Sequence, residues 1–300
     1  MTYLVERILR GKKFVQTLKL KHMKKIIVPL DFSDDSVNAL DFAVSVAKKI
    51  DAEILMISVI KTSRFDFFRG VENVATKGDL ETLISKYGDF KDRMHYKIRK
   101  GKVYREIVEQ AIEDKAFLII MGSHGISGFE EVWIGSNTFR VVSEAPCPVI
   151  TLRKEFNKRA ISKIVLPIDT TFESRQKIPM TVEVAKMFDA EIHIRGVCIN
   201  EVENELIKVK KYVAQTSEVI NKQGVSKVVE SVAEGKNKSK MTLDYANEIG
   251  ADLVSIMTEQ EEDFSLNLMG SYAQYMVHHS NIPILACHPR EDLVVKTFLK

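Results

Sequence analysis

Ile26 to Leu30 is a continuous apolar run with β-branched residues, the pattern of a parallel strand buried on both faces. Asp31-Phe32-Ser33-Asp34-Asp35-Ser36 then supplies a cap and first-turn acids. Val37, Leu40, Val44 and Ala47 follow at helical spacing, which predicts a helix ending near Lys48-Lys49. Glu53–Ile60 reads as a second strand. A long connection, Lys61–Arg93, holds the aromatic residues Phe65, Phe67 and Phe68 and a helix around Asp79–Lys86. A shorter third strand, His95–Lys100, ends at Gly101. A helix over Tyr104–Asp114, a fourth strand over Phe117–Met121, a helix containing Thr138–Ser143 and a fifth strand over Val149–Leu152 complete the set. Strands separated by helices imply right-handed crossovers and a doubly wound parallel α/β sheet.

The pattern then starts again. Lys25-Ile26-Ile27-Val28-Pro29-Leu30-Asp31 recurs as Lys163-Ile164-Val165-Leu166-Pro167-Ile168-Asp169, and Asp51-Ala52-Glu53-Ile54 recurs as Asp189-Ala190-Glu191-Ile192. Further on, Gly135-Ser136 matches Gly270-Ser271 and Pro148 matches Pro283. The matches keep their order, as a duplication does. The second set of strands falls at Ile164–Ile168, Glu191–Val197, Ser226–Ala233, Leu253–Met257 and Ile284–Cys287. The expected organisation is a basic extension over 1–22, one domain over 23–153, a second over 160–290 and a tail over 291–300.

Composition narrows the picture. The 300 residues are 45% hydrophobic and 28% charged, enough for full cores. No run of about 18 apolar residues offers a membrane span. The three cysteines, Cys147, Cys198 and Cys287, stand far apart, which argues against a disulfide framework or a zinc site and fits a reducing cytoplasm. The net charge of +3 is concentrated at the start, where Arg7, Arg10, Lys12, Lys13, Lys19 and Lys21 face only Glu6. The remainder is slightly acidic and carries no footprint for nucleic acid. Residues 1–22 lack a signal-peptide pattern. They read as a flexible extension, or as sequence upstream of a chain start at Met23, ahead of a membrane-surface helix.

The candidate chemistry lies after the fourth strand, in Met121-Gly122-Ser123-His124-Gly125 and, ten residues beyond Gly125, Gly135-Ser136-Asn137-Thr138. Glycines let a strand turn sharply with its amides inward, and the next helix opens on hydroxyl and amide side chains. Together these suit a polyphosphate. A side chain at Gly122 would stand where phosphates approach the backbone.

With this glycine spacing, the Lys-Ile-Ile-Val-Pro-Leu-Asp strand at 25–31 and Pro146-Cys147-Pro148-Val149-Ile150, the chain resembles the universal stress protein family in its tandem two-domain form. The resemblance covers about residues 23–153 and 160–290. It implies two five-stranded sheets of order 3-2-1-4-5, like the adenine-nucleotide alpha hydrolases, a cytoplasmic location and dimer-like pairing through strand five. It also implies ATP binding where the glycine spacing is present. By position, Pro29 and Asp31 would sit beside the adenosine, with Asp31 accepting from the ribose hydroxyls. Val59 would line the adenine and Met121 flank it. Gly122, Ser123, His124 and Gly125 would wrap the phosphates, and Gly135, Ser136, Asn137 and Thr138 would donate to them. Glu130 and Glu131, between the glycines, read as a solvated loop face before a Mg²⁺ site on the phosphates.

The second copy departs from the pattern. Met257, Thr258, Glu259 and Gln260 replace Gly122 to Gly125, and Glu261, Glu262 and Asp263 follow. Side chains and acids there oppose a polyphosphate. His278-His279 read as helix C-terminal cations rather than metal ligands, and Cys147 as a packed thiol. No catalytic residues are assigned. The function expected is an ATP-binding stress or signalling protein with a structural or regulatory second domain; the alternatives are an interaction scaffold without nucleotide and a slow ATPase. Val149–Leu152 and Ile284–Cys287 would be exposed edges. The linker from Arg153 to Lys163 can extend to about 33 Å, so the two edges are expected to pair within the chain, with a homodimer through other faces as a further option.

Overall fold

The computed structural model describes residues 23–61, 76–123, 135–199, 204–258 and 269–289. The first half runs β1 (Lys25–Pro29), α1 (Asp34–Ile50), β2 (Glu53–Lys61), α2 (Lys77–Ser85), β3 (Met94–Gly101), α3 (Val103–Glu113), β4 (Leu118–Gly122), α4 (Ser136–Glu144) and β5 (Val149–Leu152). The second half runs β6 (Lys163–Ile168), α5 (Ile178–Phe188), β7 (Glu191–Ile199), α6 (Glu205–Lys222), β8 (Val228–Gly235), α7 (Lys238–Glu248), β9 (Leu253–Met257), α8 (Ser271–His279) and β10 (Ile284–Cys287). A 3-10 turn over Gly88–Arg93, not expected from the pattern, precedes β3.

The strands lie in the order β3-β2-β1-β4-β5-β10-β9-β6-β7-β8. Each half is therefore a parallel sheet of order 3-2-1-4-5, and the two expected sheets are halves of one ten-stranded sheet. They join where β5 and β10 run antiparallel, with Leu285 opposite Ile150. Apolar strands such as Ile26–Val28 and Ile164–Leu166 are fully buried because helices cover both faces.

The linker is packed against α1 rather than spanning open solvent. Asn38 Nδ2 donates to the carbonyls of Arg153 at 3.0 Å and Phe156 at 2.7 Å. Phe42 of α1 meets Phe156 edge to face at 5.7 Å and stacks on Phe188 of α5 at 6.2 Å. Arg159 bridges to Asp41 at 2.9 Å. Leu285, Ile150, Phe42 and Phe156 thus belong to one core shared by both halves.

Candidate functional site

The strand order of the first half reverses between β1 and β4, and a parallel sheet opens a crevice at the carboxyl ends there. The turn after β1, the end of β2, the start of α3 and the passage from β4 to α4 all reach this edge.

After β1 the chain folds around Asp31, just beyond the half-buried Pro29. Asp31 Oδ1 accepts from the Ser33 N–H at 3.1 Å and the Ser33 hydroxyl at 2.6 Å. The turn holds Phe32 at φ 63°, a left-handed backbone that a bulky residue adopts only under constraint. Ser33 caps α1 by accepting from the Ser36 N–H at 3.3 Å. Near the end of β2, half-buried Val59 packs against the cluster that contains Met121, as do Val103, Tyr104 and Phe139. The Arg140 guanidinium lies 4.8 Å from the Tyr104 ring centroid and ties α4 to α3.

Gly122 has a different neighbour from the one its sequence context suggested. A Cβ there would come 2.7 Å from Asp35 Cβ and 2.9 Å from the Asp35 carbonyl carbon. The missing side chain lets the first turn of α1 close on the end of β4, so the obstruction expected for phosphates falls first on the protein backbone. Asp35 Oδ1 in turn accepts from the Lys154 N–H at 3.0 Å, which carries the contact into the linker.

The Ser123 N–H donates to the Leu152 carbonyl at 2.8 Å, and its carbonyl accepts from the Gly135 N–H at 2.9 Å, closing the base of the loop. His124 and Gly125, with Glu130 and Glu131, lie outside the described residues. Gly135 is the N-cap of α4 and has no side chain to accept from the first amides of the helix. The amides of Ser136 and Asn137 therefore suit an acceptor brought from outside. Thr138 is buried, and its hydroxyl donates to the Gly122 carbonyl at 3.1 Å. That hydroxyl braces the loop base.

The second half repeats this frame and changes its contents. Asp169 Oδ1 accepts from the Thr171 N–H at 2.9 Å and hydroxyl at 2.6 Å, as Asp31 does from Ser33. Thr258 donates to the Cys287 carbonyl and accepts from the Gly270 N–H, both at 2.9 Å, as Ser123 does with Leu152 and Gly135. Yet fully buried Met257 stands where Gly122 does. The helix start has moved along the chain there: Glu173–Arg175 form a 3-10 turn against β9, and α5 begins only at Ile178 with proline in its first turn. Lys177, 0% exposed, fills the region and donates to the Ser174 carbonyl. Burial pulls its pKa down to about 8, a shift that the Asp169 carboxylate offsets only in part. Nothing in the amino-acid pattern marked Lys177; Pro179 was the available sign of the later helix start. Glu259 to Asp263 lie outside the described residues.

Among the described residues no group of three or more His, Cys, Asp or Glu could hold a metal ion. His278 and His279 lie in the last turn of α8, where His278 stacks on Phe139 at 5.7 Å and His279 on Tyr275 at 4.0 Å. Burial pushes the Cys147 thiol up to about 12, which suits packing rather than redox chemistry. No described helix is long and apolar enough to cross a membrane.

The model of the universal stress protein family matches the chain twice, over residues 22–153 and 160–288. A universal stress protein of Methanocaldococcus jannaschii is 34% identical over 140 residues, which are 44% of this chain and 82% of that protein. One from Bacillus subtilis is 29% identical over 155 residues, 43% of this chain and 98% of its own. The crystal structure of a universal stress protein from Archaeoglobus fulgidus aligns over 88% of this chain and 98% of its own, with a TM-score of 0.69 at 19% identity. A functionally unknown Pseudomonas aeruginosa protein aligns over 89% of this chain and 93% of its own, with a TM-score of 0.63 at 14% identity. At these identities the two structures speak for the fold.

Proposed function

The chain belongs to the universal stress protein family through both of its halves, and on that footing we propose that the first half binds one ATP and that the protein acts in stress response or signalling. The observation that carries this is the meeting, at the switch point between β1 and β4, of the Asp31 turn, the half-buried Val59 and the α4 N-terminus that no side chain caps. In this reading Asp31 accepts from the ribose hydroxyls, Val59 and Met121 flank the base, and the amides from Gly135 to Thr138 take the phosphates. Mg²⁺ arrives on the phosphates. The second half, with its crevice refilled, is structural or regulatory, and the halves work as a pair joined at β5 and β10. The three cysteines are unbridged, which suits the cytoplasm in which we place the protein.

Ser136→Pro tests the site without disturbing the fold. Ser136 is the first residue of α4, where proline is well accommodated, and Gly135 at φ −60° and ψ 142° already has the backbone a following proline requires. Saturating Mg-ATP, at about 100 times Kd, should stabilise the wild type by about 2.7 kcal/mol. The variant should keep its unliganded stability and lose affinity by about tenfold. Equal affinity in both proteins removes the α4 N-terminus from the site.

A second reading, an interaction scaffold without nucleotide, draws on Gly122 and Thr138, whose features packing alone explains. It expects no stabilisation by ATP.

A further inference from the structure

The crevice of the second half gathers polar side chains from α6, α7, α8 and the Ser174 turn around Asp169. Lys238, the first residue of α7, places its ammonium 3.6 Å from Asp169 Oδ2 and 3.1 Å from Glu205 Oε1. Glu205 opens α6, and its other oxygen accepts from the Ile199 N–H at the end of β7, 3.0 Å away. Both carboxylates are buried, their side chains 8% and 7% exposed, while Lys238 retains 22%. The Tyr272 phenol of α8 is paired with the Thr242 hydroxyl of α7 at 3.1 Å. Lys177 closes the floor from the Ser174 turn.

Matched positions in the first half carry different groups. Gly101 ends β3 and Gly235 ends β8, paired with Lys61 and Ile199 at equivalent points. Three residues past these glycines stand Tyr104 in the first half and Lys238 in the second. The second residue of α4 is Asn137, and that of α8 is Tyr272. Lys238 and Tyr272 thus take the places that Tyr104 and Asn137 hold in the first half.

We propose that Lys238 is a built-in plug, its ammonium clamped between Asp169 and Glu205 so that the second crevice is held shut from within. The proposal rests on side chains of the second half alone and stands or falls separately from nucleotide binding by the first. Without that cation Asp169 keeps Thr171 and the charge of Lys177, Glu205 keeps the Ile199 N–H, and the two buried carboxylates repel each other with their facing oxygens left unsolvated. The structure relieves that by admitting water, which means opening the crevice between the ends of β6, β7 and β8.

Cys198 reports such opening. It is wholly buried on β7, and its thiol donates to the Ala233 carbonyl of β8 at 3.4 Å. The charges of Glu205 and Lys238 reach it. Cys147, in the first half, serves as the internal reference.

The experiment is alkylation of the full chain by iodoacetamide, followed over time by peptide mapping. In Lys238→Met, Cys198 should be modified at least tenfold faster than in the wild type, with Cys147 unchanged. Lys238→Arg, which keeps the charge, should retain the wild-type rate. An unchanged Cys198 rate in Lys238→Met overturns the plug. If Cys147 accelerates as well, the variant has lost its fold, and Glu205→Gln decides. That change removes one arm of the clamp and also a charge that raises the Cys198 thiol pKa, so it is read by amide hydrogen exchange: faster exchange along the β7–β8 ladder with β1–β2 unchanged supports the plug, and unchanged exchange overturns it.

Discussion

The two halves share two sets of hydrogen bonds at the base of their crevices. Asp31 and Asp169 hold the same turn through Ser33 and Thr171, and Ser123 and Thr258 close the same loop base. Asp51 and Asp189 even end the first helix of each half in the same left-handed conformation, at φ 56° and 55°. What differs is the other end of that helix. In the first half α1 is 17 residues long and its first turn presses on Gly122; in the second α5 has 11 residues and Met257 and Lys177 take the space. The scaffold of the repeat is thus separable from what its crevice contains. The frame is held by backbone hydrogen bonds at strand ends, and the contents are decided by where one helix begins.

The largest way to break the comparison is at the seam. Leu285 is fully buried opposite Ile150, and Leu285→Lys puts an unpaired charge there, with an expected cost of about 4 kcal/mol or more in urea unfolding. Exchange of exposed Lys208 for glutamine should stay within about 0.5 kcal/mol. Near-wild-type stability of Leu285→Lys would show that the halves do not depend on this edge.

Next in size is the exchange at the strand ends. Gly122→Ala forces a Cβ against the Asp35 backbone, with an expected loss of about 1–3 kcal/mol. Met257→Leu should cost less than about 1.5 kcal/mol, since the second half has room for a large side chain. Equal costs would mean that the helix retreat did not create that room.

Lys177 sharpens the comparison through pH. Burial lowers its pKa from 10.5 to about 8, so the folded state gives up a proton that the unfolded chain keeps between those values. The penalty is therefore full below about pH 8 and fades as pH rises toward the unfolded value. Lys177→Met should raise stability by about 1–3 kcal/mol at pH 6.5, and the gain should shrink by pH 10. A gain that is the same at both pH values belongs to packing rather than charge.

The smallest expected effect is at the α1 cap. Ser33→Ala removes an acceptor for the Ser36 amide and should cost about 1 kcal/mol by thermal unfolding. A loss beyond about 2 kcal/mol would mean that the hydroxyl bond from Ser33 to Asp31 carries more of the turn than the cap does.

Much of the frame was readable because it rests on period and repetition. Apolar runs such as Ile26–Val28 mark buried strands without reference to anything distant, and the recurrence of Lys25–Asp31 at Lys163–Asp169 fixed the second copy. Strand ends shifted by one or two residues, as at Val228–Gly235, where the apolar pattern gives way before the ladder does. The crevice was harder. Gly122 followed a strand and preceded a loop, which fits phosphate approach, but its nearest neighbour, Asp35, is distant in sequence. Lys177 and Lys238 look like ordinary surface lysines until the fold brings Asp169 and Glu205 to them. Contacts that join a strand end to the start of a remote helix leave no periodic trace.

The central claim, one ATP held by the first half and none by the second, is tested most directly by photoaffinity labelling of the full chain with an azido-adenine analogue of ATP, quantified by peptide mapping. Saturable labelling approaching one per chain, confined to peptides that span the ends of β1, β2 and β4 and suppressed by unlabelled ATP, is the predicted result. Labelling that unlabelled ATP does not suppress, or that falls on the peptides around Asp169 and Met257, would contradict it.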